Sequence, residues 1–549
     1  MRKLVLTIII LSFLTVFSLS GCSKAGDDKI TENISNTITG NKSEEDKAGD
    51  IGDQVTILPS ITSNMEASDN KVKKLPAQET DVNYDPNFKV VIEAEEAEFT
   101  GNIKVEGTKE GFSGTGYLTG IETDKDTITF RVTVPGNGAY DLNFVSAANT
   151  EYKENNVLLD GENIGLSIVD KDDFTDSMLR NVYLTSGEHE IQMTKSWGWV
   201  LVDKLIITAS APMDTSIYEV SYELSDPMAT DRAKGLMKYL TDMYGEYIIS
   251  GQYGDLGIHG SEFKAIKEAT GKYPAMLGLD LIEYTPSRAA NGSIGYDVDY
   301  ALVFDKKGGI VTFCWHWNAP EPYLINSDRS PWWKGFYADS TTINLDKIMK
   351  GEDQEGYDLL VRDIDAIAVQ LLRLQKADIP ILWRPLHEAS GGWFWWGASG
   401  AEAYIKLYQL LYDRLTNYHN LHNLIWVWNG QNKDWYPGDE YVDIVGMDIY
   451  PGEKVYTSQA AKFHELSEWQ SSKKMIALTE NSCLFDPELA VRDNAMWSYF
   501  GTWEGDFVTV NGTYTLSEQY TEADMLKKVY TSDRVITLDE LPDLKTYGN

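Results

Sequence analysis

The chain has few of the residues that would place it in several large classes of protein. It carries three cysteines in 549 residues, and two of them, Cys314 and Cys483, lie in apolar strand-like runs. Buried free thiols are therefore expected there, with a disulfide as the alternative. Seven histidines are present, and no pair of them has ligand spacing with a cysteine or carboxylate in a closed constellation, so no zinc site is expected. Positive charge is also scarce: 48 Lys and Arg stand against 84 Asp and Glu, a net charge of -36. That imbalance repels nucleic acid and anionic lipid surfaces but leaves neutral substrates open. Only one apolar run is long, near the N-terminus, and nothing after it could span a bilayer. Aromatics are abundant by contrast: 16 Trp and 31 Tyr exceed the needs of a core, so exposed rings are expected.

The N-terminal run reads as an address. Arg2 and Lys3 precede apolar Leu4 to Leu19, and Leu19-Ser20-Gly21-Cys22 closes the segment. It resembles a bacterial lipoprotein signal. The resemblance implies a signal peptide over 1–21, a lipid on Cys22 and a mature chain anchored outside the cytoplasmic membrane. Residues 22–85 are polar and poor in aromatics, and form an expected disordered tether. About 60 flexible residues reach roughly 40 Å.

Residues 86–210 change character. Alternating runs such as Thr127-Ile128-Thr129-Phe130-Arg131-Val132-Thr133-Val134 are punctuated by Pro135-Gly136-Asn137-Gly138 and Asp160-Gly161, which predicts a β-sandwich. Ile92-Glu93-Ala94-Glu95, Gly114-Thr115-Gly116-Tyr117-Leu118 and Trp199-Val200-Leu201-Val202-Asp203-Lys204-Leu205-Ile206-Ile207 resemble a family 35 carbohydrate-binding module, jelly-roll-like in fold. The resemblance implies a structural calcium at Glu93, Glu95 and Asp203, whose hard oxygens suit that ion. A solvated acidic face is the alternative. Trp197 is the expected sugar platform, although Trp197 or Trp199 could equally be core. Uronic-acid-binding members often carry Asn just before the closing Asp. This chain has Val there, which favours a neutral ligand.

A short connector, 211–230, leads to 231–549, where apolar strand-like runs alternate with helical stretches. Eight strands are expected: 247–253, 275–281, 309–317, 380–388, 424–429, 443–450, 474–480 and 496–503. Leu360, Ile364, Ile367, Leu371 and Leu374 give 357–375 helical spacing, and 401–415 behaves similarly. The fold class is thus a (β/α)8 barrel, whose active residues belong at the carboxyl ends of strands. Glu388 closes the fourth run and Glu480 the seventh.

Glu388 lies in Arg384-Pro385-Leu386-His387-Glu388-Ala389-Ser390-Gly391-Gly392-Trp393-Phe394-Trp395-Trp396-Gly397, a carboxyl between a histidine and a wall of rings. Indole faces stack on pyranose rings, and apolar surroundings favour a protonated carboxyl. This motif and the strand order resemble glycoside hydrolase family 26, dominated by endo-β-1,4-mannanases. The resemblance implies retaining hydrolysis, with Glu388 as acid/base and Glu480 as nucleophile, the carboxyls about 5 to 5.5 Å apart. It further implies sugar-binding roles for His316, His387, Trp393, Tyr450 and Trp503, and no cofactor for catalysis. Arg384 is expected to support the carboxylates. Family members often have Met-Asn after the catalytic Glu, whereas this chain has Ala389-Ser390, which weakens the substrate assignment there.

The leading expectation is a monomeric, extracellular, membrane-anchored lipoprotein that cleaves internal β-1,4-mannosidic bonds in mannan, glucomannan or galactomannan. The alternatives are a β-1,3-1,4-glucanase (lichenase) or β-1,3-xylanase of the same family, or a non-catalytic surface glycan-binding lipoprotein.

Overall fold

A computed structural model describes residues 83–548, apart from 149–152, 170, 197, 212–214, 470–472 and 511. The expected signal peptide over 1–21, the lipid site at Cys22, nearly all of the tether over 22–85 and the expected platform Trp197 lie outside the described residues. No helix among the described residues is long and apolar enough to cross a membrane.

The first folded part pairs its strands antiparallel in two sheets. One sheet is built around Leu201–Ala209 and Gly138–Ala147, the other around Thr127–Val134 and Gly187–Lys195. Thr127–Val134 buries Ile128, Phe130, Val132 and Val134 while the residues between them face outward, the period expected of a half-buried strand. Phe130 meets Phe144 of the opposite sheet edge to face, with ring centroids 6.0 Å apart. Register slips between Val202 and Lys204, and Asp203 between them is buried. A bulge of this kind re-aims a side chain without ending the strand.

The second part is a closed barrel of eight parallel strands. They are β1 Gly251–Tyr253, β2 Met276–Asp280, β3 Ile310–Trp315, β4 Ile381–Pro385, β5 Leu424–Trp428, β6 Ile444–Ile449, β7 Met475–Asn481 and β8 Phe500–Thr502. Each lies within one of the eight expected runs or overlaps it almost entirely. Strands such as β3 are buried at every residue, because the barrel interior covers one face and helices the other. Gln354–Lys376 supplies one of those helices, with Leu360, Ile364, Ile367, Leu371 and Leu374 all buried. Asp353 caps it by accepting from the Gly356 amide at 2.8 Å. The second expected helix ends at Tyr412 and continues as a wider π turn, Asp413–Tyr418.

The first, fourth and eighth expected strands are cut well short of their apolar spans, the first because Ile248 and Ile249 pair with Val535 and Ile536 instead. The fourth stops at Pro385, which has no N–H for the ladder, and Leu386 and Glu388 then take left-handed backbones with φ of 54° each. Glu388 therefore sits on a turn above the strand. The eighth contains only Phe500–Thr502, since the backbones of Ser498 and Tyr499 pair instead with Ile249, Ile476 and Leu478.

The connector is tied to the barrel. Tyr218 donates to the Asn494 carbonyl at 2.7 Å and accepts from the Met496 amide at 3.2 Å, while its ring packs edge-on to Tyr244. Cys314 and Cys483 are both buried free thiols.

Candidate active site

The floor of the barrel is organised by a buried cation. Arg384 on β4 points inward with no exposed side chain, and its Nη1 donates to Asp448 Oδ2 at 3.0 Å. Its Nη2 donates to Glu480 Oε1 and, at 3.2 Å, to the hydroxyl of Tyr253 on β1. Burial opposes the guanidinium charge, yet Asp448, Tyr253 and Glu480 hold its pKa above the ordinary arginine value. Both acids reach it because of a register slip: Met447 pairs with Leu478 but Asp448 pairs with Glu480. Thr479, skipped by that slip, packs where a side chain on Gly446 would meet it at 2.4 Å.

Asn429, just past β5, ties the neighbouring elements together. Its amide nitrogen donates to Asp448 Oδ1 at 2.8 Å and to the Thr479 hydroxyl, which itself donates to Asp448 Oδ1 at 2.6 Å. Its backbone and side-chain oxygens accept from the Glu388 amide at 2.7 and 3.2 Å. This double hold keeps Glu388 in its left-handed conformation, which costs a non-glycine residue about 1–2 kcal/mol.

The carboxyl groups of Glu388, Asp448 and Glu480 each bring an oxygen within 4.8 Å of the others. Their surroundings differ. Glu480 accepts from Arg384 and, at Oε2, from the Tyr450 hydroxyl at 2.6 Å. Burial, then Glu480, pushes the Tyr450 pKa well above its ordinary value, so the phenol keeps the proton it donates. Glu388 accepts only from the Trp393 indole, at 2.9 Å, among the described residues. Burial, reinforced by Asp448 and Glu480, pushes its pKa well above the usual carboxylate range, while Arg384 and the indole pull the other way. Two carboxyls so close and so differently placed can divide acid and nucleophile work between them.

The rings around this floor fall into two groups. Trp393 is 43% exposed and presents a face to solvent, and Tyr450 is half-buried at the edge of the cleft. Trp503 is 8% exposed and lies against Tyr253, with centroids 4.8 Å apart, and near His316. His316 has both ring nitrogens engaged: Nδ1 with Asp280 at 2.6 Å, Nε2 with His387 Nε2 at 3.2 Å. His387 departs from its expected role as a sugar contact. It is 1% exposed, lies between His316, Phe394 and Trp396, and is held neutral by burial, Arg384 and His316. It buttresses His316 instead. Trp315, Trp317 and Trp497 are core residues, the first two stacked at 4.2 Å.

Sequence reasoning missed Asp448, Asn429 and Asp280 as members of the site. Asp280 ends its apolar strand, Asn429 lies just past one, and Asp448 stands one residue before the end of β6, a weaker form of the signal that marks Glu388 and Glu480.

Neither of the two donor-atom clusters among the described residues of the barrel requires a metal ion. Among the three carboxylates the guanidinium of Arg384 already supplies the positive charge. Asp280, Cys314 and His316 also converge, but Asp280 and His316 bond each other and burial holds the Cys314 thiol protonated. In the sandwich, Glu93, Glu95 and Asp203 converge on the loop 113–115. Ser113 donates its hydroxyl to Glu93 at 2.6 Å and its amide to Asp203 at 2.7 Å, and Thr115 donates its amide to Glu95. Gly114 has φ of +65°, and a side chain there would meet Glu95 Oε1 at 2.2 Å. Trp199, two residues beyond the expected platform Trp197, is 50% exposed with a left-handed backbone at φ 54°.

A closed parallel barrel with two facing carboxyls above its strand ends and indole faces at the rim defines a class, the barrel glycosidases. Residues 225–540 match the model of glycosyl hydrolase family 26, and residues 90–210 match that of carbohydrate binding module family 35. The chain belongs to glycosyl hydrolase family 26. It is 40% identical to a mannan endo-1,4-beta-mannosidase of Thermothelomyces thermophilus over 82% of this chain and 90% of that one. It is 35% identical to mannan endo-1,4-beta-mannosidase B of Piromyces sp over 83% of this chain and 77% of that one. Among solved structures, a Podospora anserina GH26-CBM35 beta-(1,4)-mannanase superposes with a TM-score of 0.60 at 38% identity, covering 84% of this chain and all of that one.

The raised pKa of Glu388 has a stability consequence. A carboxyl whose folded pKa exceeds its unfolded value binds more protons in the native state, so it costs stability as pH rises through that interval. Glu388→Gln removes this cost. The variant should melt higher than the parent at pH 7, with a margin that narrows toward pH 4, where the Glu388 carboxyl is largely protonated in the folded and unfolded chain alike. A lower melting temperature for Glu388→Gln at pH 7 would contradict it.

Proposed function

We infer that the chain is a retaining endo-β-1,4-mannanase that hydrolyses internal mannosidic bonds in mannan, glucomannan or galactomannan. The observation that carries the mechanism is the close approach of Glu388 and Glu480 in opposite electrostatic settings. Glu388, kept protonated by burial, gives its proton to the glycosidic oxygen as that bond breaks. Glu480, with its negative charge met by Arg384 and Tyr450, attacks the anomeric carbon and forms a glycosyl ester. Glu388 is left as the carboxylate and takes a proton from an incoming water, which displaces Glu480 and restores both groups. Trp393 offers the sugar an indole face, and Trp503 and His316 line the cleft beside it. No cofactor enters these steps.

The Thermothelomyces and Piromyces relatives are mannan endo-1,4-beta-mannosidases, which favours mannan over lichenan or β-1,3-xylan. The full chain should release new reducing ends from galactomannan and glucomannan and leave lichenan and β-1,3-xylan intact. Glu388→Ala and Glu480→Ala should each lower turnover of the polymer by several orders of magnitude. Near-normal turnover in either variant would refute the roles of the two glutamates, and binding without cleavage on every polymer would make the protein a glycan receptor.

The sandwich would hold the enzyme on its polymer, with a structural calcium at Glu93, Glu95 and Asp203. Supporting this, Glu95 Oε2 is buried without a hydrogen-bond partner. Lys204 Nζ, 3.2 Å from Asp203 Oδ2, competes for the same charge. Chelation by EDTA should lower the melting temperature by several degrees and added calcium restore it. An unchanged melting curve would leave Lys204 as the sole counter-charge.

We propose that the chain sits outside the cell, anchored through lipid on Cys22, because of the apolar run and the Leu19-Ser20-Gly21-Cys22 closure. The protein should partition into detergent when expressed in a bacterium, and Cys22→Ala should release it to the aqueous phase. Equal partitioning of the two would rule the anchor out.

A further inference from the structure

Trp393 is an exposed ring, yet its nitrogen reaches inward to the carboxyl of Glu388. Several local features hold it there. A side chain on Gly391 would lie 2.0 Å from Trp393 Cζ3, so only glycine leaves room for the ring. Gly392 follows with φ of +70°, a turn that glycine makes without strain. The Trp393 carbonyl then accepts from the Ala338 amide at 2.7 Å, which pins the backbone to the loop beyond β3.

An indole N–H is a donor only, so the oxygen that it meets must offer a lone pair. In a protonated carboxyl the carbonyl oxygen is the better acceptor. The 2.9 Å bond to Oε2 therefore makes Oε2 the carbonyl oxygen and leaves the proton on Oε1. Once that proton has gone to the leaving oxygen, the same N–H faces a carboxylate and its bond strengthens.

We propose that Trp393 is a positioning residue for the acid as well as a sugar platform: its N–H assigns the Glu388 proton to Oε1 and stabilises the carboxylate that remains after proton transfer. One side chain thus carries the stacked sugar on its face and the acid on its edge. The proposal rests on Glu388 being the acid/base. It accounts for a feature the other carboxyls lack: Glu480 has two side-chain donors and Asp448 three, and Glu388 has the indole alone among the described residues.

The charged and titratable groups facing Glu388 are Arg384 from β4, Asp448 from β6, Glu480 from β7, Tyr450 after β6 and Tyr337 on the loop after β3. All of them remain when the indole is replaced by phenylalanine, which keeps a flat apolar face and lacks the N–H. Losing a bond that favours the charged form raises the acid's pKa. The alkaline limb of kcat/KM against pH should then move up by roughly one pH unit in Trp393→Phe.

A second readout separates positioning from stacking. A β-mannobioside with a dinitrophenyl leaving group departs without a proton, whereas a manno-oligosaccharide requires one. Trp393→Phe in the full chain should lose about tenfold or more in kcat/KM on the oligosaccharide and much less on the aryl glycoside. An unmoved alkaline limb, or equal losses on the two substrates, would overturn the proposal and leave Trp393 a platform only. Failure of the underlying assignment would look different, because Glu388→Ala would then keep its turnover of oligosaccharide.

Discussion

The structure of the catalytic part depends on one buried ionic contact, the guanidinium of Arg384 between Asp448 and Glu480. A guanidinium and two acids are taken out of water together, which is tolerable because both acids accept from the arginine and from Asn429, Thr479 or Tyr450. Removing the arginine would leave two carboxylates facing each other and Glu388 across less than 5 Å of low-dielectric space. The register slip on β6 and β7, the glycine at 446 and the Asn429 and Thr479 bonds serve to bring the acids to that one cation. The contact also divides labour between the glutamates. Glu480 shares the guanidinium directly, and Glu388 stands beyond its hydrogen-bonding reach and keeps its proton.

Much of this was legible in the sequence, for a physical reason. Parallel strands buried on both faces must be continuous apolar runs, so a charged or polar residue at the end of such a run stands out. Glu388 and Glu480 were visible in that way, as was the helix over 354–376, whose buried leucines and isoleucines recur at helical spacing. Asp448 carries the same mark less plainly, because Ile449 and Tyr450 continue its run and move the apparent end two residues on. What the sequence did not disclose was direction. His387 lies beside Glu388 in the chain, but the left-handed turns at Leu386 and Glu388 send the two side chains different ways, one into the core behind His316 and one into the cleft. Strand limits at Pro385 and Phe500 were likewise hidden, because the apolar run outlasts the ladder in the first case and begins before it in the second.

The connector was the least readable segment, polar and short, and it proves to be fastened. Tyr218 plugs its hydroxyl between Asn494 and Met496. Farther out, Arg180 of the sandwich stands 4.0 Å from Glu468 of the barrel. The first contact is half-buried and hydrogen-bonded on both sides of the hydroxyl. The second is an exposed pair of little energetic weight, so the doubly bonded tyrosine is the stronger tie.

The central claim is that two carboxyls this close carry out a double displacement, one as nucleophile and one as acid and then base. The anomeric configuration of the newly formed reducing ends reports on it directly. Proton NMR of a manno-oligosaccharide digest, taken before mutarotation, should show the β-anomer appear first and the α-anomer grow in later. An α-anomer at the earliest time would mean direct displacement by water, and the assignment of Glu480 as nucleophile would be wrong.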